Sequence, residues 1–246
     1  MIALIDADLI VHRVAHTTAN DPEAIARYRC DEMVDRITDD VAATELALWI
    51  SDLRENNFRT HLWVGYKANR TQPRPKHYDY LKEYVINEWG ARIAYGMEAD
   101  DALGINQNKS LDVVDADATV ICSIDKDLLQ ISGRHYNFVK KEFCEVSQEE
   151  GDRSFYTSIL VGDATDNIKG CRGIGPVKAK EALKDCTTEE QYITRIIEVY
   201  KKQEEDKSTE EILDHIRLAG ALLKIKQKED EPIWDSPLLK VSPEPL

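Results

Sequence analysis

The 246-residue chain predicts an α/β fold, with a mostly parallel central sheet flanked by helices and a C-terminal helical lobe. Three observations carry that prediction. Short apolar runs recur along the first half, and each is followed closely by an acid: IALI (2–5) by Asp6, ELALWIS (45–51) by Asp52, ARIAYG (91–96) by Glu98 and ATVICSI (118–124) by Asp125. Helical patterns lie between the runs, which is the signature of βαβ units. After about residue 147 the strand pattern stops, leaving helices and a glycine-rich loop.

The opening MIALIDADLIVHR reads as a strand; it lacks the basic n-region of a signal peptide and carries aspartates inside its apolar stretch. A helix is expected over about 21–43, with Asp21 as its cap and Pro22 in the first turn. Further helices are expected over about 75–88 and from Glu98 onward. SFYTSILVG reads as a helix, Gly175-Pro176 starts a short one through Leu183, and two more cover roughly 188–204 and 208–225. KKQEEDKSTEE reads as a solvated helix end and loop, and the proline-rich tail EPIWDSPLLKVSPEPL as loosely ordered.

Composition narrows the class. The chain is 42% hydrophobic and 32% charged, as in a globular protein, and no apolar run approaches the roughly 20 residues of a membrane span. Five scattered cysteines (Cys30, Cys122, Cys144, Cys171, Cys186) form no CxxC pair, so reduced thiols and a cytoplasmic setting are expected. His12 and His16 have metal-ligand spacing, but no HExxH pattern accompanies them, and they read as an exposed pair. A net charge of −14 argues against coating nucleic acid with the whole surface, although a local basic track can still hold phosphates.

In an open parallel sheet, ligands bind outside the carboxyl ends of the strands, which is where Asp6, Asp52, Glu98 and Asp125 would sit. The acids also cluster: MEADD holds Glu98, Asp100 and Asp101, SIDKD holds Asp125 and Asp127, and GDATD holds Asp163 and Asp166. Each cluster, taken alone, can be a set of helix or turn caps. Together they suit hard cations: two carboxylates about 4 Å apart repel by roughly 4 kcal/mol at an effective dielectric near 20. Oxygen donors without His or Cys point to Mg²⁺ or Mn²⁺. Asp8 is ambiguous, because it can face the other way or cap the first helix.

Two stretches carry the opposite charge. Residues 59–78 (RTHLWVGYKANRTQPRPKHY) contain no acid, where the chain average would give about four. Arg59, Lys67, Arg70, Arg74 and Lys76 could neutralise phosphates there, and Trp63 and Tyr66 could stack on bases; a solvated connecting loop is the bland alternative. Residues 167–180 also lack acids and hold Lys169, Arg172, Lys178 and Lys180 around GIGPVKAKEAL. Glycines at 173 and 175 would let backbone N–H groups approach phosphate oxygens ahead of a helix N-terminus, as in a helix–hairpin–helix; an ordinary glycine turn is the alternative.

The order and spacing of LID (4–6), WISD (49–52) with NNFR (56–59), YKANR (66–70), MEADD (97–101), SIDKD (123–127), GDATDN (162–167) and GIGPVKAKEAL (173–183) resemble the bacteriophage 5′→3′ exonucleases of the flap-endonuclease superfamily. The resemblance implies a PIN-like nuclease core over 1–161 with a short arch or clamp at about 53–90. It also implies a helix–hairpin–helix lobe with C-terminal helices over 162–246, packed on the core. Asp6, Asp52, Glu98, Asp100 and Asp101 fall where the family places one group of metal ligands, and Asp125, Asp127, Asp163 and Asp166 where it places the second. Lys67 and Arg70 fall at the base of the arch, near the scissile phosphate. DNA contacts are implied for Arg59, Arg74, Lys76, Arg172, Gly173, Gly175, Lys178 and Lys180.

The implied activity is 5′→3′ exonuclease or structure-specific 5′ flap endonuclease cleavage of DNA with two Mg²⁺ (or Mn²⁺) ions, and K⁺ at the helix–hairpin–helix. The implied partners are duplex or branched DNA with a 5′ end and replication proteins, with a monomeric chain in the cytoplasm (the host's, if phage-encoded) and no membrane. Two readings stay open beside it: a PIN-like or RNase H-like nuclease acting on RNA or RNA–DNA hybrids, and a branched-DNA-binding module without turnover.

Overall fold

The structure, a computed structural model, describes residues 1–113 and 118–239. The tail beyond residue 239 lies outside the described residues. The chain divides into two compact units.

The first unit comprises Met1–His61, Thr71–Gln148 and Ile225–Glu231. Its sheet contains β1 (Ile2–Asp6), β2 (Glu45–Ser51), β3 (Arg92–Ala94), β4 (Thr119–Cys122), β5 (Gly133–Asn137) and β6 (Glu142–Val146), in the order β3-β2-β1-β4-β5-β6. All neighbours are parallel except β5–β6. The period-2 alternation of the apolar runs covers both faces. Ala3, Ile5, Leu48, Ile50, Val120 and Cys122 enter one core, together with residues of α1 (Ala7–Thr17), α2 (Glu23–Val41) and α4 (Tyr78–Asn87). Leu4 and Ile121 enter a second core with Leu103 of α5 (Ala99–Val113), Leu128, Ile131 and Ile225. Burying each Leu, Ile or Val among them contributes about 1.5–3 kcal/mol.

The four expected strands are present. The β5–β6 hairpin is additional: β6 is exposed along most of its length and carries Glu142 and Glu145, so it lacks the apolar run that marks the others. Asp125 precedes, and Asp127 opens, a short 3-10 turn over Asp127–Gln130 rather than an α-helix. Residues 53–90 hold a 3-10 turn (Arg54–Asn56), α3 (Phe58–Leu62) and α4.

The second unit comprises Leu62–Arg70, Glu149–Lys224 and the chain from Pro232 onward. It contains α6 (Gln148–Val161), a two-residue antiparallel pair β7 (Gly162–Asp163) and β8 (Ile168–Lys169), α7 (Pro176–Leu183), α8 (Glu189–Gln203) and α9 (Thr209–Leu223). Thr188 and Ser208 open α8 and α9 with capping boxes, each closed by the third residue of its helix, Gln191 or Glu211. The core includes Phe155, Ile159, Leu160, Leu183, Ile196, Tyr200, Ile216 and Tyr66.

The division differs from a single boundary at 161/162. Tyr66, 2% exposed, carries the 62–70 segment into the second core, and Ile225, 4% exposed, carries 225–231 back into the first. Glu204, in the stretch read as solvated, is 3% exposed. Among the described residues, no helix is long and apolar enough to cross a membrane.

Candidate active site

In the first unit, β3, β2, β1 and β4 are parallel neighbours, so whatever follows their last residues shares one edge of the sheet. Asp6 ends β1, caps α1 and is 3% exposed. It accepts hydrogen bonds from the Leu9 N–H (3.2 Å) and Ser123 Oγ (2.9 Å). Asp8, in the first turn of α1, accepts from the N–H of Ser51 at the end of β2 (2.8 Å), which resolves its ambiguity in favour of this edge. Asp52 accepts from the Leu53 N–H (2.7 Å), Asn56 Nδ2 (3.1 Å) and the Gly96 N–H (2.8 Å), tying the end of β2 to the turn after β3. Beyond β4, the Asp125 N–H donates to Ser123 Oγ (3.0 Å) and the Asp127 N–H to Asp125 Oδ1 (2.8 Å).

Ser123 therefore links Asp6 to the Asp125 loop. Ser51 plays a similar part: its Oγ accepts from the Ala99 N–H (3.0 Å) at the start of α5. Neither serine stood out in the sequence, although Ser51 directly precedes Asp52 and Ser123 lies two positions before Asp125 (WISD, SIDKD).

Two carboxyls at this edge are shifted, in opposite directions. Burial, then Asp8, with Asp125 adding to them, pushes the Asp6 carboxyl up to about 7, against the pull of its hydrogen bonds from Leu9 and Ser123. For Asp52, burial acts upward but is outweighed by hydrogen bonds from Gly96, Asn56 and Leu53 and by Lys82, so the net shift is downward. The donors at this edge are hard oxygens in excess, which fits Mg²⁺ or Mn²⁺ by chemistry. Among the described residues, no group of three or more His, Cys, Asp and Glu side chains is drawn together closely enough to hold a metal ion. His12 and His16 stack on each other with ring centroids 6.2 Å apart, and His12 packs against Tyr78.

Asp101 and Arg59 differ from their expected roles. Asp101 is fully buried and Arg59 is 2% exposed. The guanidinium grips both carboxylate oxygens, Nη1 to Oδ2 at 2.6 Å and Nη2 to Oδ1 at 2.9 Å. Burial would raise the Asp101 carboxyl, but the charge and hydrogen bonds of Arg59, with N–H groups from Lys226 and Glu98, hold it below the usual range. Asp101 is thus an ionised partner inside the unit rather than a ligand at the edge, and Arg59 is not available to a phosphate. Within α5, Asp101 lies on the buried face that also carries Ala102 and Ile105, one and four positions further along.

In the second unit, a different group forms. Asp163 Oδ1 accepts from the Thr165 N–H (2.7 Å) and the Asp166 N–H (3.4 Å). Asp166 meets Arg70 Nη2 at 2.5 Å, Tyr66 OH at 3.1 Å and Lys67 Nζ at 3.6 Å. The 65–70 turn lies against the 163–167 loop through Lys67 N–H to Asp166 O (3.0 Å), Asn69 Nδ2 to Ala164 O (2.7 Å) and Asn167 Nδ2 to Gly65 O (2.8 Å). Lys67 and Asn167 adopt left-handed φ values of 54° and 66°. Non-glycine residues rarely take this conformation, and it persists only where surrounding bonds over-determine it.

The glycine loop leads into α7. Gly173 has φ 71° and Gly175 is the N-cap. Lys178 Nζ donates to Gly173 O (2.9 Å), and exposed Arg172 pairs with Asp206 (2.8 Å) while its N–H donates to Glu204 (3.1 Å). Lys180, Lys76 and Arg74 are exposed, with Arg74 paired to Asp79 at 3.0 Å. Val177, 83% exposed, adds an apolar tip that the charge pattern did not single out. A cavity of about 660 Å³ in this unit is lined by Lys169, Arg172, Lys207, His215 and the buried Glu204.

Residues 1–156 match the family described as 5′-3′ exonuclease, N-terminal resolvase-like domain. The chain is 29% identical over 164 residues to a 5′-3′ exonuclease of Bacillus subtilis, covering 60% of this chain and 53% of that one. It is 28% identical over 200 residues to DNA polymerase I of Rhizobium leguminosarum, covering 73% of this chain and 18% of the polymerase. The chain thus spans about half of the first relative and under a fifth of the second. The fold is similar to the bacteriophage T5 flap endonuclease solved as a pseudo-enzyme-product complex with DNA and metal ions, with a TM-score of 0.66 at 14% identity, covering 89% of this chain and 88% of that one.

Proposed function

From the premise that the chain belongs to the 5′-3′ exonuclease family, in the N-terminal resolvase-like domain that its residues 1–156 match, we propose that it hydrolyses DNA phosphodiesters near a 5′ end, as a 5′→3′ exonuclease and 5′ flap endonuclease. The observation that supports this most is the edge of four adjacent parallel strands, each followed by carboxylates, where burial, with Asp8 and Asp125 adding to it, raises Asp6 to about 7. A site that disfavours its own ionised state is suited to a cation.

Asp6, Asp8, Glu98, Asp100, Asp125 and Asp127 would hold divalent Mg²⁺ or Mn²⁺, with water completing the coordination; Asp163 and Asp166 are the proposed second group. Bound ions would supply a water acidic enough to attack at neutral pH and would offset charge on the leaving oxygen. Asp52 shapes the turn that presents Glu98. Ser123 and Ser51 fix the strand ends. Lys67 and Arg70 offset the charge that grows on the phosphate. The loop through Gly173 and Gly175, with Lys178, Lys180 and Arg172, is proposed to grip the duplex backbone without reading sequence, as a helix–hairpin–helix that can take K⁺. Arg74 and Lys76 would add a second phosphate track.

The test is Asp125→Asn with Asp127→Asn. Cleavage of a 5′-ended duplex in Mg²⁺ is expected to be abolished, while binding of the same duplex in Ca²⁺ persists. Retained Mg²⁺-dependent cleavage would exclude these acids from the chemistry. Preference for a matched RNA 5′ strand would move the assignment to an RNA or hybrid nuclease.

A further inference from the structure

We propose that Asp101 is a positioning residue, and that with Arg59 it forms a buried hub setting the direction in which the loop and first turn of α5 present Glu98 and Asp100. The proposal rests on the metal-dependent reading of the same edge. Three chain segments of the first unit meet on this one carboxylate. Arg59 of α3 supplies two guanidinium bonds. The Glu98 N–H donates to Oδ2 (3.1 Å), so the first acid of the MEADD cluster is held by its backbone. The Lys226 N–H donates to Oδ1 (3.0 Å) from the segment that returns to this unit.

An ionised carboxylate offers about four lone-pair sites, and these four donors occupy them. Asp101 therefore has no acceptor capacity left to offer a cation, and its charge is already matched by Arg59. A bidentate Arg–carboxylate pair specifies geometry more strongly than a point charge does. The returning segment is fixed independently. Asn108 Nδ2 donates to Gln227 O (3.1 Å), the Ile225 N–H reaches Gln130 Oε1 (3.4 Å), and Arg59 itself is braced by its own N–H on Asn57 Oδ1 (2.9 Å). The hub thus joins the residues after β2, the start of α5 and the 225–231 segment, and it holds half-buried Glu98 by its backbone N–H.

The experiment compares Arg59→Gln, Arg59→Lys, Asp101→Asn and the Arg59→Gln/Asp101→Asn double variant, each first checked for a cooperative thermal transition. Mn²⁺ affinity is read by electron paramagnetic resonance without DNA, amide exchange is followed over residues 97–103, and kcat and KM are measured on a 5′-ended duplex. Supporting partners of metal sites are worth about 10–100-fold in metal affinity or activity. Arg59→Gln leaves the Asp101 carboxylate intact, yet it is expected to lose Mn²⁺ affinity and kcat by a factor in that range, with KM little changed and faster exchange at 97–103. The double variant should be no worse than either single one, and Arg59→Lys should recover part of kcat. If Asp101 were a ligand, Arg59→Gln would bind Mn²⁺ as tightly as the parent or more tightly, with unaltered exchange; that result overturns the proposal. A parent protein that binds no Mn²⁺ overturns the metal reading itself and the proposal with it, and the fault then shows in the parent rather than in the variants.

Discussion

Asp6 shows most directly what crowding acids at a sheet edge does to the fold. Its carboxyl is pushed up to about 7 from an ordinary 3.8, by burial first and by Asp8 and Asp125 with it. Between those values the folded chain holds a proton that the unfolded chain has released, so stability falls as pH rises through that window and the penalty is complete above it. In EDTA, Asp6→Asn is therefore predicted to raise the thermal midpoint at pH 8 by a few degrees, on the order of 2 kcal/mol, and to confer no advantage at pH 4. An equal shift at both pH values would show that the Asp6 carboxyl is not raised in the folded chain. The strand-end acids were legible in the sequence because a strand end followed by an acid is a local pattern. Asp101 and Arg59 were not, because 42 positions separate them and nothing local distinguishes a buried charge with a partner from an exposed one. The pairing of Lys67 and Arg70 with Asp166 escaped for the same reason, although the residues themselves stood out.

At the scale of elements, β1, β2, β3 and β4 announced themselves by apolar runs, and α7 by Gly175-Pro176, which fixed its start. The β5–β6 hairpin did not, because its outer strand is polar and its turn depends on Lys141 at φ 59°. The seating of 225–231 on α5 was equally hidden, since it depends on the absence of a side chain at Gly104. A Cβ there would lie 2.4 Å from Lys226 O and 3.0 Å from Ile131 Cδ1. Gly104→Ala would gain up to about 1 kcal/mol in helix propensity, but backbone cannot yield as a flexible side chain does, and overpacking costs about 1–3 kcal/mol. The substitution is predicted to lower the thermal midpoint and speed amide exchange over 225–229. A higher midpoint with unchanged exchange would mean that the segment does not depend on this close approach.

At the scale of the molecule, a net charge of −14 coexists with two acid-free stretches, residues 59–78 and 167–180. The mostly parallel sheet and the helical lobe were readable from alternating patterns. The two-unit division was not, because Tyr66 and Ile225 each leave their sequence neighbours to join the other core. The central claim is that acids gathered at one sheet edge make phosphodiester cleavage at a 5′ end dependent on a divalent cation. The most direct measurement follows a duplex labelled at one 5′ end, incubated with the protein in Mg²⁺ and in EDTA. Release of label as short 5′ products in Mg²⁺ and none in EDTA is predicted; cleavage that proceeds equally in EDTA, or that starts only from the 3′ end, would contradict the account.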